Sequence, residues 1–228
     1  YEFPHLMHVQ LESHGCLARQ TNDGRFEIHS CGQSPFAVRT HVAEAFHLPR
    51  HMIAVRTGYI GGGFGGKSDA TIEPLTCALA RFVPGRWVRL VLSREENLIA
   101  TVVGRGFRGR FRVGATRDGK LVAAEIDLDQ AAGAFGWTAI NIVPCAGNTA
   151  TGPYHIPNLE IHTRGVYTNT PPVGAYRGYG HPESQFMMER HMDFLARELG
   201  MDPVELRLKN IYRDGQRNAL GQRIDRSF

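Results

Sequence analysis

This chain of 228 residues is poor in the features that announce metal, membrane or disulfide chemistry. Its four cysteines, Cys16, Cys31, Cys77 and Cys145, stand far apart, with no C-x-x-C pair among them. Such spacing carries no zinc or iron–sulfur signature and argues against a disulfide framework at this size, so reduced thiols are expected. No run of 18 apolar residues occurs, and so no helix is expected to cross a bilayer. Residues 1–10 lack a charged stretch followed by an apolar core and do not read as a secretory signal. Lysine is scarce, at Lys67, Lys120 and Lys209 only, and the net charge of +4 is modest. The eleven histidines include no H-E-x-x-H pair and read as scattered surface or packing residues. A cytoplasmic protein with neither a membrane nor a nucleic-acid partner is the plain expectation.

What the chain does have is glycine, concentrated where chemistry needs it. Gly61-Gly62-Gly63-Phe64-Gly65-Gly66-Lys67 places five glycines around one aromatic residue. Glycine admits positive φ and close approach of the backbone to a bound group. Successive free N–H groups in such a loop attract anions or partial negative charge. Gly61, Gly66, Lys67 and Ser68 also satisfy G-x-x-x-x-G-K-S, the formal pattern of a phosphate-binding P-loop. Phe64 is an awkward occupant of a loop that wraps phosphates, and no second nucleotide motif accompanies it. A P-loop-like nucleotide binder stays open as an alternative on these residues alone.

With 42% hydrophobic and 21% charged residues, the chain is long enough to bury a core as one large or two small domains. Residues 6–20 and 25–32 read as strands joined at Asn22-Asp23-Gly24. Pro35 suits the first turn of a helix to Phe46, a strand fits 52–57, and a second helix fits 69–82. Strand patterns follow at 87–92, 106–115 and 120–130, then a loop over 131–158 rich in Gly, Ala, Pro and Asn, and a strand at 159–168. In 106–115, Phe107, Phe111 and Val113 alternate with arginines as in a half-buried strand, which is preferred to an RNA-binding run. Thr170 to Gly180 forms a second loop of Gly and aromatics ahead of a helix over 182–199, with Gly200 as its C-cap. Asp202-Pro203 opens a last helix. The fold class is α+β, mixed sheets with packed helices, with a subdomain boundary near 85–105 as one option.

Taken together, the blocks resemble the molybdopterin-binding large subunit of the xanthine dehydrogenase, aldehyde oxidase and carbon monoxide dehydrogenase family of molybdenum hydroxylases. Leu11-Glu12-Ser13-His14 is similar to its L-E-P-H segment, and Ser30-Cys31-Gly32-Gln33 to its S-T-Q segment. Gly61 to Lys67 reproduces G-G-G-F-G-G-K, and Gly174-Ala175-Tyr176-Arg177-Gly178-Tyr179-Gly180 resembles its arginine loop. Glu189-Arg190, Asp193 and Gly200 to Asn210 follow the pattern of its tail. The resemblance covers nearly all 228 residues and implies the first cofactor-binding domain, or part of it. It implies that Gln33 sets its amide near an oxygen on molybdenum, that Gly63, Phe64 and Gly65 offer backbone N–H groups, and that Ala175, Tyr176 and Arg177 line the opposite side. Because the pterin's own sulfurs hold the metal, no protein ligand cluster is required.

The resemblance also implies hydroxylation of an aldehyde or N-heterocycle, with water as the oxygen source. Purine-oxidising members carry Glu where this chain has Ser68, and Arg near the position of Cys145. Copper-holding members carry Cys at the position of Gly178. These three differences point away from xanthine and carbon monoxide, leaving a substrate pocket with Ser68, Cys145 and Tyr179, the last able to stack on a flat substrate. The general-base Glu is expected outside this segment, so no catalytic residue is assigned within it. The 2Fe–2S clusters and FAD are expected on partner domains or subunits, and the pterin could be the cytosine dinucleotide form. Lacking an initiator Met and opening in a strand-like pattern, the chain reads as an excised domain or split subunit, incompetent for turnover by itself. A non-catalytic cofactor-binding scaffold is the rival reading.

Overall fold

The computed structural model describes residues 1–136 and 138–225, which fold as two compact units. One, called here the N-terminal unit, comprises Met7–Gly104 together with Gly174–Arg177. The other, the C-terminal unit, comprises Tyr1–Leu6, Arg105–Val173 and the chain from Gly178 onward. In chain order the first strands are β1 (Glu2–Phe3), β2 (Gly15–Gln20), β3 (Phe26–Ser30), β4 (Ile53–Thr57) and β5 (Val88–Val91). The helices among them are α1 (Pro35–Ala45), α2 (Glu73–Ala80) and α3 (Arg94–Ala100). Then come β6 (Phe107–Ala115), β7 (Leu121–Gly133), α4 (Ala139–Asn148), β8 (Asn158–Tyr167), α5 (His181–Leu199) and α6 (Pro203–Asn210). This is an α+β fold.

The N-terminal unit is built on a sheet of order β4-β3-β2-β5. β2 and β3 form an antiparallel hairpin, closed by a turn in which the Gly24 N–H donates to the Thr21 carbonyl at 2.9 Å, with Gly24 at φ +84°. α1 then carries the chain over to β4, which pairs with β3 in parallel. Pro35 starts α1 because its missing N–H would have no helical partner there. The core gathers Ala18, Phe26 and Ile28 from the sheet, Val38 and Val42 from α1, and Cys77 and Ala80 from α2, all fully buried. Burying Phe26 or Ile28 alone contributes roughly 1.5–3 kcal/mol.

The C-terminal unit repeats the logic on a sheet of order β1-β6-β7-β8. β6 and β7 are antiparallel, turning at Gly119 (φ +85°), and α4 lies on the crossover to the parallel β8. Along β6, Phe107 and Phe111 are buried while Arg108, Arg110 and Arg112 point outward, as a half-buried strand requires. Gly109 lies between them because a Cβ there would stand 2.2 Å from the sulfur of Met187 on α5. Met187, Met188 and Met192 form the core face of α5, with Gly200 in the left-handed region as its C-cap.

Several elements differ from expectation. Residues 131–158 are not one long loop. β7 runs on to Gly133, and α4 occupies Ala139–Asn148 despite Pro144 inside it, because Ile142 and Ala146 put a buried stripe four residues apart (residue 137 lies outside the described residues). α3 was not expected either, although Ser93 and Glu96 form a full capping box, a signal present in the sequence. α2 begins at Glu73 rather than 69, and β2 begins at Gly15 rather than 6.

The last helix is held by its cap: one Asp202 carboxylate oxygen accepts from Val204 N at 2.8 Å and Glu205 N at 2.9 Å. Asp202→Ala is expected to cost about 1 kcal/mol and lower Tm by roughly 2–4 °C, checked by thermal unfolding. An unchanged Tm would show the cap to be dispensable.

Candidate functional site

The site is built from the end of β3 outward. The Ser30 hydroxyl donates to the buried Glu73 carboxylate at 2.5 Å and accepts from the Gly32 N–H at 2.8 Å. Glu73 in turn takes the N–H groups of Thr71 and Ile72 at 2.8 and 3.1 Å, so its buried charge is fully engaged. This network sets the direction in which the chain leaves β3, and Gln33 is the next side chain.

Gln33 ties itself to the glycine loop through both backbone and side chain. Its N–H donates to the Lys67 carbonyl at 2.7 Å. Its side-chain Oε1 accepts from Gly65 N at 3.0 Å and from Lys67 N at 3.3 Å. Two converging donors require an oxygen, so the opposite end of the amide is the NH2 group, a pure donor. The loop is shaped to fit: a Cβ on Gly63 would lie 2.3 Å from Gln33 Oε1, and Gly65 sits at φ +96°. Phe64, between them, is held at φ +53°, a conformation costing an L-residue on the order of 1–2 kcal/mol. Its N–H makes no hydrogen bond among the described residues, and its ring is 45% exposed.

The second loop enters the same unit at Gly174–Arg177. The Gly174 N–H donates to the Val103 carbonyl at 2.9 Å, and a Cβ at 174 would meet Val102 at 2.4 Å, so only glycine passes. Ala175 packs directly on the glycine loop, where a Cβ on Gly65 would fall 2.5 Å from its carbonyl oxygen. That same oxygen accepts from His8 Nε2 at 2.6 Å, and the His8 ring lies 5.0 Å from that of Tyr176. His8 also fills the space beside Gly66. Arg177 is exposed, with no ion-pair partner among the described residues.

Both ends of the glycine loop are pinned by Glu12. Its Oε2 accepts from Gly61 N at 3.0 Å and from Lys67 Nζ at 2.7 Å, and its N–H donates to the Gly61 carbonyl at 3.0 Å. His14, buried, brings Nε2 to 3.1 Å from the Gly66 carbonyl while Nδ1 lies 2.7 Å from Asn97 Oδ1. This geometry overturns the P-loop alternative. Lys67 is fully buried and ion-paired, two of the loop's amides are already bound by Gln33, and α2 starts six residues after Lys67.

The structure therefore brings Gln33, Gly63, Phe64, Gly65, Ala175, Tyr176 and Arg177 into one unit, with Ser68 in the same loop, its N–H on the Gly65 carbonyl at 3.2 Å. Cys145, within α4, and Tyr179, packed on the other core at φ +51°, belong to the C-terminal unit. Gly178 has a backbone reason to be glycine, at φ +89° with Pro182 2.3 Å from where a Cβ would be. His8, Ser30, Glu73 and Asn97 were not foreseen; their roles rest on contacts between distant segments that no local pattern marks.

Three polar groups presented by the two loops, the Gln33 NH2, the Phe64 N–H and the Arg177 guanidinium, are donors. No group of three or more His, Cys, Asp or Glu suited to a metal ion occurs among the described residues. His47 and His51 are spaced four apart, but Pro49 stands between them and His51 lies within a 3-10 turn over Arg50–Met52. Residues 1–211 match the family model of the molybdopterin cofactor-binding domain.

The chain belongs to that family. This molybdopterin-binding domain is 36% identical over 225 residues to a xanthine dehydrogenase molybdenum-binding subunit of Escherichia coli O157:H7, covering 98% of this chain and 30% of that one. It is 32% identical to the nicotinate dehydrogenase large molybdopterin subunit of Eubacterium barkeri, covering 100% of this chain and 53% of the relative. The aldehyde oxidoreductase of Desulfovibrio gigas superposes with a TM-score of 0.90 at 31% identity, over 98% of this chain and 24% of that one. Quinoline 2-oxidoreductase from Pseudomonas putida 86 gives the same score and identity over 99% and 30%. The domain thus spans about half or less of the length of these relatives.

Burial pushes the Glu12 carboxyl up, but the bonds from Lys67 and Gly61 and the charges of Lys67 and His14 outweigh it and hold it below the usual carboxylate range. A depressed native pKa stabilises fully above the unfolded value and is lost as pH falls through the folded one. Stability of the domain should therefore drop in acid below the ordinary carboxylate range, and Glu12→Gln should flatten part of that drop in urea unfolding. Parallel curves for the two proteins would remove Glu12 from this account.

Proposed function

We propose that this domain forms one wall of the cofactor site in a molybdenum hydroxylase acting on an aldehyde or an N-heterocycle. The observation that carries the reading is the set of donors presented by two loops, one positioned by Gln33 and the other by His8. Gln33, Gly63, Phe64 and Gly65 hold one side of the pterin-bound molybdenum, and Ala175, Tyr176 and Arg177 the other. When bound, the cofactor supplies a metal centre able to place oxygen from water on an electron-poor carbon and to take up the electrons released. The protein's part is positional and electrostatic: neutral N–H groups and one guanidinium, preset in the fold, favour negative charge on the cofactor's ligands.

Substrate class is inferred from the resemblance to the family. By resemblance, purine-oxidising members carry Glu at the position of Ser68 and Arg near that of Cys145, which argues against a purine. Tyr179 would provide an aromatic surface for a flat substrate. The names of the aldehyde oxidoreductase, quinoline 2-oxidoreductase and nicotinate dehydrogenase relatives agree with this class. The general base, the 2Fe–2S clusters and FAD lie on other domains or subunits, consistent with the share of its relatives that the domain spans. The pterin is molybdopterin, with the cytosine dinucleotide form as one option. No described helix is long and apolar enough to cross a membrane.

Co-expression with the rest of its enzyme, in a host that makes the cofactor, tests this directly. The assembly should contain about one molybdenum and one pterin per chain, and an aldehyde or N-heterocycle should bleach its iron–sulfur spectrum. Stoichiometric metal without bleaching by any such substrate would favour the cofactor-carrying scaffold. Absence of both metal and pterin would overturn the reading altogether.

A further inference from the structure

The sheet of the N-terminal unit packs one face on α1 and α2 and turns the other away. Two cross-strand rows run side by side on that outer face. One passes from Ala54 through Glu27 to Arg19, beyond which Trp87 stands just ahead of β5. The next passes from Arg56 through His29 and Leu17 to Arg89. A recess of about 360 Å3 opens between the rows, walled by Arg19, Glu27, His29, Ala54, Arg56 and Trp87.

The recess is organised by its own contacts. The Arg19 guanidinium lies over the Trp87 ring at 4.7 Å, and its Nε donates to Glu27 Oε2 at 3.1 Å. Glu27, the only acidic residue lining the recess among the described residues, engages Arg19 through Oε2. His29 meets the same indole edge-on, with ring centres 5.4 Å apart. Arg56 has no ion pair or hydrogen bond among the described residues, and its cross-strand neighbour is His29 rather than a carboxylate. An arginine free on an open surface would be an ordinary solvated side chain. Arg56, exposed like His29, borders a recess whose remaining charge is positive and whose aromatic wall is held by a stacked guanidinium. The forked donors of arginine match phosphate and carboxylate oxygens in pairs. The volume lies near the lower end of ligand sites, roughly 300–1,000 Å3, which suits a small anion.

We propose that this recess binds a small oxyanion, the phosphate or carboxylate group of a small molecule, between Arg56 and His29 against Trp87. The site is independent of the molybdenum chemistry and stands or falls apart from it.

Trp87 is a built-in reporter, since Trp137 is the only other tryptophan. Trp137→Phe leaves it alone, and the full chain is titrated with inorganic phosphate in one arm and acetate in the other, at ionic strength held constant with chloride. A saturable change in Trp87 emission is expected with at least one of the two, and the stronger arm identifies the class. Arg56→Ala in the same background should weaken that response roughly tenfold or more, as loss of a charge-assisted bond requires. Because Trp137→Phe could impair folding, calorimetric titration of the wild-type chain with the same anions runs in parallel. No saturable response in either measurement, or an Arg56→Ala protein that responds like its parent, would overturn the site. Molybdenum content of the assembled enzyme should be unchanged by Arg56→Ala, which separates this result from the fate of the cofactor reading.

Discussion

One side-chain carbonyl organises the candidate site. Gln33 Oε1 accepts two amides of the glycine loop, from Gly65 and Lys67, and the Gln33 backbone donates back to Lys67. Neither amide bond is strong alone; a net hydrogen bond contributes about 0.5–1.5 kcal/mol. Their combined effect is geometric. They hold a five-glycine loop, entropically costly to order, in a single path with Phe64 at positive φ. They also decide which end of the Gln33 amide faces outward, so loop order and donor presentation come from the same two bonds.

The other contacts serve that arrangement from three sides. Glu73 and Ser30 fix how the chain leaves β3, Glu12 fixes the ends of the loop, and His8 fixes Ala175 against Gly65. Gly174–Arg177 belongs to this unit although the chain on either side of it belongs to the other. The glycines at 63, 65 and 174 are the permissive element, since a Cβ at any of them would run into Gln33, Ala175 or Val102.

Much of this was legible before any coordinates. The hairpin at Gly24, the Pro35 start of α1, the Gly200 stop of α5 and the Asp202 cap each have a local chemical cause, and each stands within a residue or two of its expected place. Gln33 and the two loops were legible as motifs. What was not legible depends on distance in sequence. His8 and Ala175 are 167 residues apart, and nothing local marks His8 as their link. The passage of the chain from one unit to the other near residues 6, 173 and 177 leaves no compositional trace. α4 was hidden for another reason: Pro, Gly and Asn disguise a helix whose stability comes from burying Ile142 and Ala146 rather than from propensity.

Amide hydrogen exchange at Gly65 and Lys67, read in the wild type, in Gln33→Ala and in Gln33→Glu, tests the central claim most directly. Glutamate keeps an oxygen for both loop amides but surrenders the outward NH2 donor. The account predicts slow exchange at both amides in the wild type and in Gln33→Glu. In Gln33→Ala it predicts fast exchange at both, with β3 and α1 unchanged. Equal protection in all three proteins would contradict it, because the loop would then be ordered without the Gln33 side chain.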